Sequence, residues 1–145
     1  MTEHQVLETM IATSRQWLRE LMAKLELPPD ETGRALHALR AGLHAIRDRL
    51  PVADAVHLGA QLPVLVRGLY YDGWRITNDP AQIRTRAQMI DRVQREIDPD
   101  RRLSAIAVLS AVISLLNQHV SAGEIAKVVS TLPRTIAELW TAPSS

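Results

Sequence analysis

Five histidines, His4, His37, His44, His57 and His119, are the first residues in this 145-residue chain that could carry chemistry, as metal ligands or proton carriers. Their spacing argues against a shared metal. His37 and His44 fall on one helix face, but seven residues of helix separate them by about 10.5 Å, too far for two nitrogens each held about 2.1 Å from one ion. His44 and Asp48 are better placed at i,i+4, yet two ligands do not complete a site. His-Glu-x-x-His, paired Glu-x-x-His motifs and an acidic calcium loop are all missing from the sequence. With no cysteine, thiolate nucleophiles, disulfides and Cys-based zinc or iron–sulfur sites drop out. No serine stands in Gly-x-Ser-x-Gly, and the 6 glycines form neither a phosphate loop nor a dinucleotide fingerprint. The expectation is therefore solvated surface histidines, with no catalytic residue, no metal and no cofactor.

Two further groups could bind rather than react. Arg34, Arg40, Arg47 and Arg49 gather around one helical segment, and Arg84, Arg86, Arg92 and Arg95 around another; such faces can contact phosphates. Asp48, Asp91 and Glu96 are interleaved with them, however, and Arg92 can simply pair with Glu96 at i,i+4. Nothing resembles a helix-turn-helix reader, so nucleic acid is not an expected partner. Tyr70, Tyr71 and Trp74 are the densest aromatic cluster in a chain without phenylalanine. Such rings suit a partner interface or a pocket wall. The competing role for Trp74 is packing, with Gly73 turning the chain so that the ring folds inward. Tyr70, Tyr71, Trp74, Arg40 and Arg47 form the candidate binding set.

Composition sets the frame around these residues. Lys and Arg total 17 against 16 Asp and Glu, a net charge of +1 that gives no general attraction to nucleic acid or membrane surfaces. Hydrophobic residues at 46% are ample for one core. The N-terminal Met-Thr-Glu-His-Gln lacks the basic-then-apolar opening of a secretory signal. The longest apolar run, Leu103–Leu116, has 14 residues, short of the roughly 20 that span a membrane. A cytoplasmic protein is expected.

Helical spacing pervades the chain, whereas strand-type alternation is scarce. Segment 3–26 carries Val6, Leu7, Met10, Ile11, Leu18, Leu21, Met22 and Leu25 in one stripe, opened by a Thr2/Gln5 capping box and closed by Leu27-Pro28-Pro29. Segment 30–50 turns Ala35, Leu36, Leu39, Leu43, Ile46 and Leu50 inward, which places His37, Arg40, His44, Arg47 and Asp48 on the outer face. Segment 52–61 buries Val52, Ala55, Leu58 and Gly59, and Pro63 restarts the helix toward Tyr71. A linker near 72–79 follows. Pro80 then suits a first helical position, with Ile83, Ala87, Ile90, Val93 and Ile97 on one face. Asp98-Pro99 and a Ser121/Glu124 capping box open the last elements.

The pattern repeats without gaps at a shift of 70. Leu62-Pro63 pairs with Leu132-Pro133, Pro29-Asp30 with Pro99-Asp100, and Leu69-Tyr70 with Leu139-Trp140; 9 of 45 aligned positions are identical. Most inward positions stay apolar, Leu36 with Ile106 and Leu43 with Ile113 among them. The fold expected is an all-α bundle of about eight helices. It would be built from two tandem four-helix repeats, residues 1–74 and 75–145, related by a pseudo-two-fold within one compact domain of residues 1–145.

The repeats differ at one helix. Segment 103–116 is apolar almost all round, which requires cover on several sides. Ser104, Ala107, Ala111 and Ser114 form a narrow seam on it where a second helix could approach, either the monomer's own core or a homodimer interface.

Residues 34–74, running from Arg-Ala-Leu-His-Ala-Leu-Arg-Ala through Gln-Leu-Pro-Val-Leu-Val-Arg-Gly-Leu to Tyr-Tyr-Asp-Gly-Trp, resemble a widespread bacterial family catalogued as domain of unknown function 2267. The matching His-Val-Ser-Ala-Gly-Glu-Ile-Ala…Leu-Pro-Arg-Thr-Ile-Ala-Glu-Leu-Trp of 119–140 extends the resemblance over nearly the whole chain. It implies an internally duplicated helical domain and supplies no reaction. The function expected is a non-catalytic interaction or scaffold module that self-associates, as a dimer. The alternative is a small-molecule or nucleic-acid binder using the groove between repeats.

Overall fold

A computed structural model describes residues 1–76, 79–97 and 102–141; the expected Asp98-Pro99 cap and part of the 72–79 linker lie outside these residues. Helix α1 (Glu3–Leu25) opens as its sequence requires. The Gln5 N–H donates to Thr2 Oγ1 (3.2 Å) and the Thr2 N–H to Gln5 Oε1 (2.7 Å), a complete capping box. The helix ends on Glu26, which takes a left-handed conformation (φ 55°), and the Leu27 N–H closes the end on Met22 O at 2.9 Å. Pro28 and Pro29 then keep the helix from resuming.

The remaining elements are α2 (Thr32–Arg49), α3 (Val52–Ala60), α4 (Val64–Tyr71), a 3₁₀ turn at Pro80–Gln82, α5 (Arg86–Ile97), α6 (Ala105–His119), α7 (Ala122–Ser130) and α8 (Arg134–Thr141). Among the described residues there is no strand, and the fold is an all-α bundle of eight α-helices. Pro80 opens the 3₁₀ turn rather than α5. The helix itself starts beyond a second capping box that sequence reading missed: the Gln88 N–H donates to Thr85 Oγ1 and the Thr85 N–H to Gln88 Oε1, both at 3.1 Å. The Ser121/Glu124 box forms by half. Glu124 N–H donates to Ser121 Oγ (3.2 Å), but the Ser121 N–H turns to Gln61 Oε1 (3.3 Å), which ties the start of α7 to the end of α3.

Helices α2 and α6 make the centre. Helix α2 packs on α1, α4, α5 and α6, and α6 on α1, α2, α5, α7 and α8. Four couples of packed pairs correspond at the 70-residue shift: α1 on α6 with α5 on α2, α1 on α2 with α5 on α6, α2 on α4 with α6 on α8, and α3 on α4 with α7 on α8. Helices α3 and α7, Val52–Ala60 and Ala122–Ser130, correspond residue for residue at that shift, as do α4 and α8. Leu39 and Leu109, Leu43 and Ile113, Ile46 and Leu116, Val66 and Ile136, and Tyr70 and Trp140 are buried in pairs.

Several inward assignments fail. Leu36 and Ile106, equivalent at the shift, are each 41% exposed, because the core-facing arcs of α2 and α6 are filled by Ala35, Ala38, Leu39 and by Ala105, Val108, Leu109. Val52 is exposed at the first turn of α3, and Ala87 is exposed while Met89, one residue-pair on, is fully buried. In α1 only the second half reaches the core, through Trp17, Leu21 and Met22. In the first half Val6 and Met10 are partly buried, while Leu7 is 53% and Ile11 45% exposed.

Candidate functional site

The polar face of α2, expected to meet solvent, is instead covered by α4 and α5. The end of α4 shows why. The last carbonyls of a helix have no intrahelical donors and carry the negative end of its dipole. Gly68 O accepts the Asp72 N–H (3.1 Å) and Tyr71 O the Trp74 N–H (3.1 Å). The two between them are taken by cationic or ring donors from α2: Leu69 O by His44 Nε2 (2.7 Å) and Tyr70 O by Arg47 Nη1 (2.9 Å). Arg47 Nη1 also donates to Asp72 O at 3.0 Å. His44 and Arg47 are thereby buried, His44 with only 2% of its surface exposed, and the expectation of a solvated His44 is overturned. His37 lies partly buried, and His4 and His57 are exposed.

Helix α5 supplies the counter-charges. Glu96 Oε1 sits 2.8 Å from His44 Nδ1, 3.6 Å from Arg92 and 3.9 Å from Arg40. Burial raises the Glu96 pKa, but the hydrogen bond from His44 and the charges of His44, Arg92 and Arg40 outweigh it, so the carboxyl ionises below the usual range. Since Leu69 O can only accept, His44 Nε2 is the donor in that bond. Asp48 bridges the remaining cations, receiving Arg47 Nε (2.8 Å) and Arg92 Nη2 (3.0 Å). Arg40 pairs with Asp72 at 2.7 Å, and that hydrogen bond and charge hold the exposed Asp72 carboxyl below its ordinary value. Of the candidate binding set, Arg47 is thus a buried cap, whereas Arg40 is partly exposed at the rim.

The aromatic cluster divides in the same way. Tyr70 is fully buried and its hydroxyl donates to Ala55 O (2.7 Å); burial pushes its pKa up. Tyr71 meets Tyr70 edge-on at 5.0 Å between ring centres, and Trp74 stacks on Tyr71 at 5.6 Å. Gly73, at φ 70°, makes the turn that brings Trp74 back onto the core. Arg67, unremarked in the sequence, closes the end of α3 by donating to Gly59 O (2.9 Å), Ala60 O (3.3 Å) and Leu62 O (2.8 Å).

On the other side of the molecule, α1 lies against α6. Trp17, buried and not singled out from sequence, stacks on the His119 ring at 4.5 Å, and His119 bonds to Glu20. This overturns the solvated reading of His119. The seam on α6 is split: Ala111 is buried and Ser114 accepts a hydrogen bond from Lys24 of α1 (3.1 Å), while Ala107 is exposed and Ser104 serves as the N-cap of α6. The chain's own α1 therefore occupies the Ser114 end.

A groove runs along the outer side of α1 toward the start of α2. It measures about 540 Å³, with Leu18, Met22, Leu27 and Pro29 as its apolar lining and Arg15 and Arg19 at its rim. Both arginines are exposed, and neither has an acidic partner among the described residues. Sequence reading did not find this groove, because its lining comes from both sides of the Leu27-Pro28-Pro29 turn. Among the described residues no three His, Asp or Glu side chains are placed to hold a metal ion, and no helix is long and apolar enough to cross a membrane. The geometry offers ion-paired caps, a shallow cation-rimmed groove and an uncovered helix.

The profile of a family described as "Uncharacterized conserved protein (DUF2267)" matches residues 14–139. No curated protein matches the chain.

Proposed function

The chain belongs to the DUF2267 family, and from that premise we propose that it is a non-catalytic interaction module that associates with itself. The observation that carries this reading is α1. Its second half is core, while its first half holds Leu7 and Ile11 in solvent at the cost of exposed apolar area. A helix of 23 residues is about 34 Å long, and a capping box stabilises the end that carries the exposed Leu7. A rigid, capped, half-apolar helix is suited to docking. The couples of packed helices and the caps Arg47 on Tyr70 O and Asn117 on Trp140 O, 70 residues apart, support the further reading that two repeats, 1–74 and 75–145, are related by a pseudo-two-fold.

Native mass spectrometry of the untagged chain tests the proposal. A multiple of 16.2 kDa supports it. A bare single chain at micromolar concentration overturns it. Added non-protein mass that is lost on denaturation overturns it in favour of a small-molecule binder.

A further inference from the structure

The exposed half of α1 and the groove beside its other half are complementary to each other. At about 100° per residue, Leu7, Ile11, Leu18 and Met22 fall in one stripe along the helix. The stripe's outer end is apolar with Glu3 and Glu8 beside it; its inner end borders the groove with Arg15 and Arg19 at the rim. One end lacks a cover and the other lacks a filler. Among the described residues Glu8 is engaged by His4 alone, at 3.0 Å in an exposed pair, and Arg15 and Arg19 meet no acid.

A helix cannot fold back on itself, so these two surfaces can meet only between copies. We propose that the protein forms an antiparallel dimer in which the first half of α1 of each copy lies in the α1–α2 groove of the other. The inference rests on the self-association reading and names its surface. Centred close to Ala12, the pairing sets Leu7 against Leu18 of the second copy and Ile11 against Ser14. It also sets Glu8 opposite Arg15. The two-fold makes every contact twice, as a closed dimer requires. Leu7, Ile11, Ser14 and Leu18 follow the alternating four-and-three step of a coiled-coil seam, and Glu8 and Arg15 occupy flanking positions that face each other in antiparallel pairs.

Charge reversal tests the register. Sedimentation velocity across a micromolar concentration series is run on the full chain, on Glu8→Arg, on Arg15→Glu and on the double variant, with circular dichroism to confirm the fold. Both residues are exposed, so the helix content stays intact. The wild type sediments as a dimer. Each single reversal weakens the dimer by roughly tenfold or more, and the double reversal restores it. A wild-type dimer indifferent to all three variants overturns this surface while leaving self-association standing. A wild-type monomer throughout overturns both.

Discussion

Gly42 of α2 lies directly against Val112 of α6, at the point where the two central helices cross. A β-carbon built at Gly42 would stand 2.5 Å from Val112 Cγ2 and 2.8 Å from Val112 Cβ. The two residues are 70 apart, the spacing at which the sequence repeats. The missing side chain at Gly42 is what lets the two helices approach there.

Gly42→Ala is expected to destabilise the fold by about 1–3 kcal/mol despite the better helix propensity of alanine, because the added methyl overpacks the crossing. Adding Val112→Ala recovers only part of the loss, since the Val112 β-carbon remains too close. Urea unfolding monitored by circular dichroism measures both. A stabilised single variant would show that the crossing can relax.

Removing the caps of α4 should cost more than removing an exposed arginine. Arg47→Met keeps bulk but leaves Tyr70 O and Asp72 O without this donor and Asp48 with Arg92 alone, an expected loss of about 3–5 kcal/mol. Arg95→Met, which breaks only the exposed Asp91 pair, should change stability by less than about 1 kcal/mol. Similar losses for the two would mean that Arg47 is not a cap of consequence.

Acid should act through Glu96. Its folded pKa lies below the unfolded carboxyl's value of about 4.3, so its contribution is fully present above that value and is lost as pH falls through the folded pKa. Melting temperatures between pH 7 and pH 3 should fall for the wild type and fall less steeply for Glu96→Gln, which starts lower. An unchanged acid limb in the variant would assign the acid sensitivity to other carboxylates, Asp72 first.

The seam on α6 should respond in two ways. Ala111→Glu places a charge at a buried position and is expected to unfold the protein. Ala107→Glu, in solvent, should leave the melting temperature within a few degrees and the oligomeric state unchanged. Dissociation by Ala107→Glu would move the dimer interface from α1 to α6.

Local chemistry was legible in the chain itself. Thr2 and Gln5 close a capping box because both bonds lie within one turn, and Leu62-Pro63 and Leu132-Pro133 break helices because proline lacks a donor. Apolar spacing alone determined an all-α bundle, and α7 and α8 stand at the 70-residue shift from α3 and α4 at which the sequence repeats. What the sequence could not decide was which face of a helix meets protein. The face carrying His44 and Arg47 reads as solvated, since periodicity ranks residues by polarity and cannot register that α4 ends against α2 with carbonyls in need of donors. Leu7 and Ile11 read as core by the same rule, yet they are exposed while Val6 and Met10 beside them are partly buried. Burial is a property of neighbours, and only the tertiary structure supplied them.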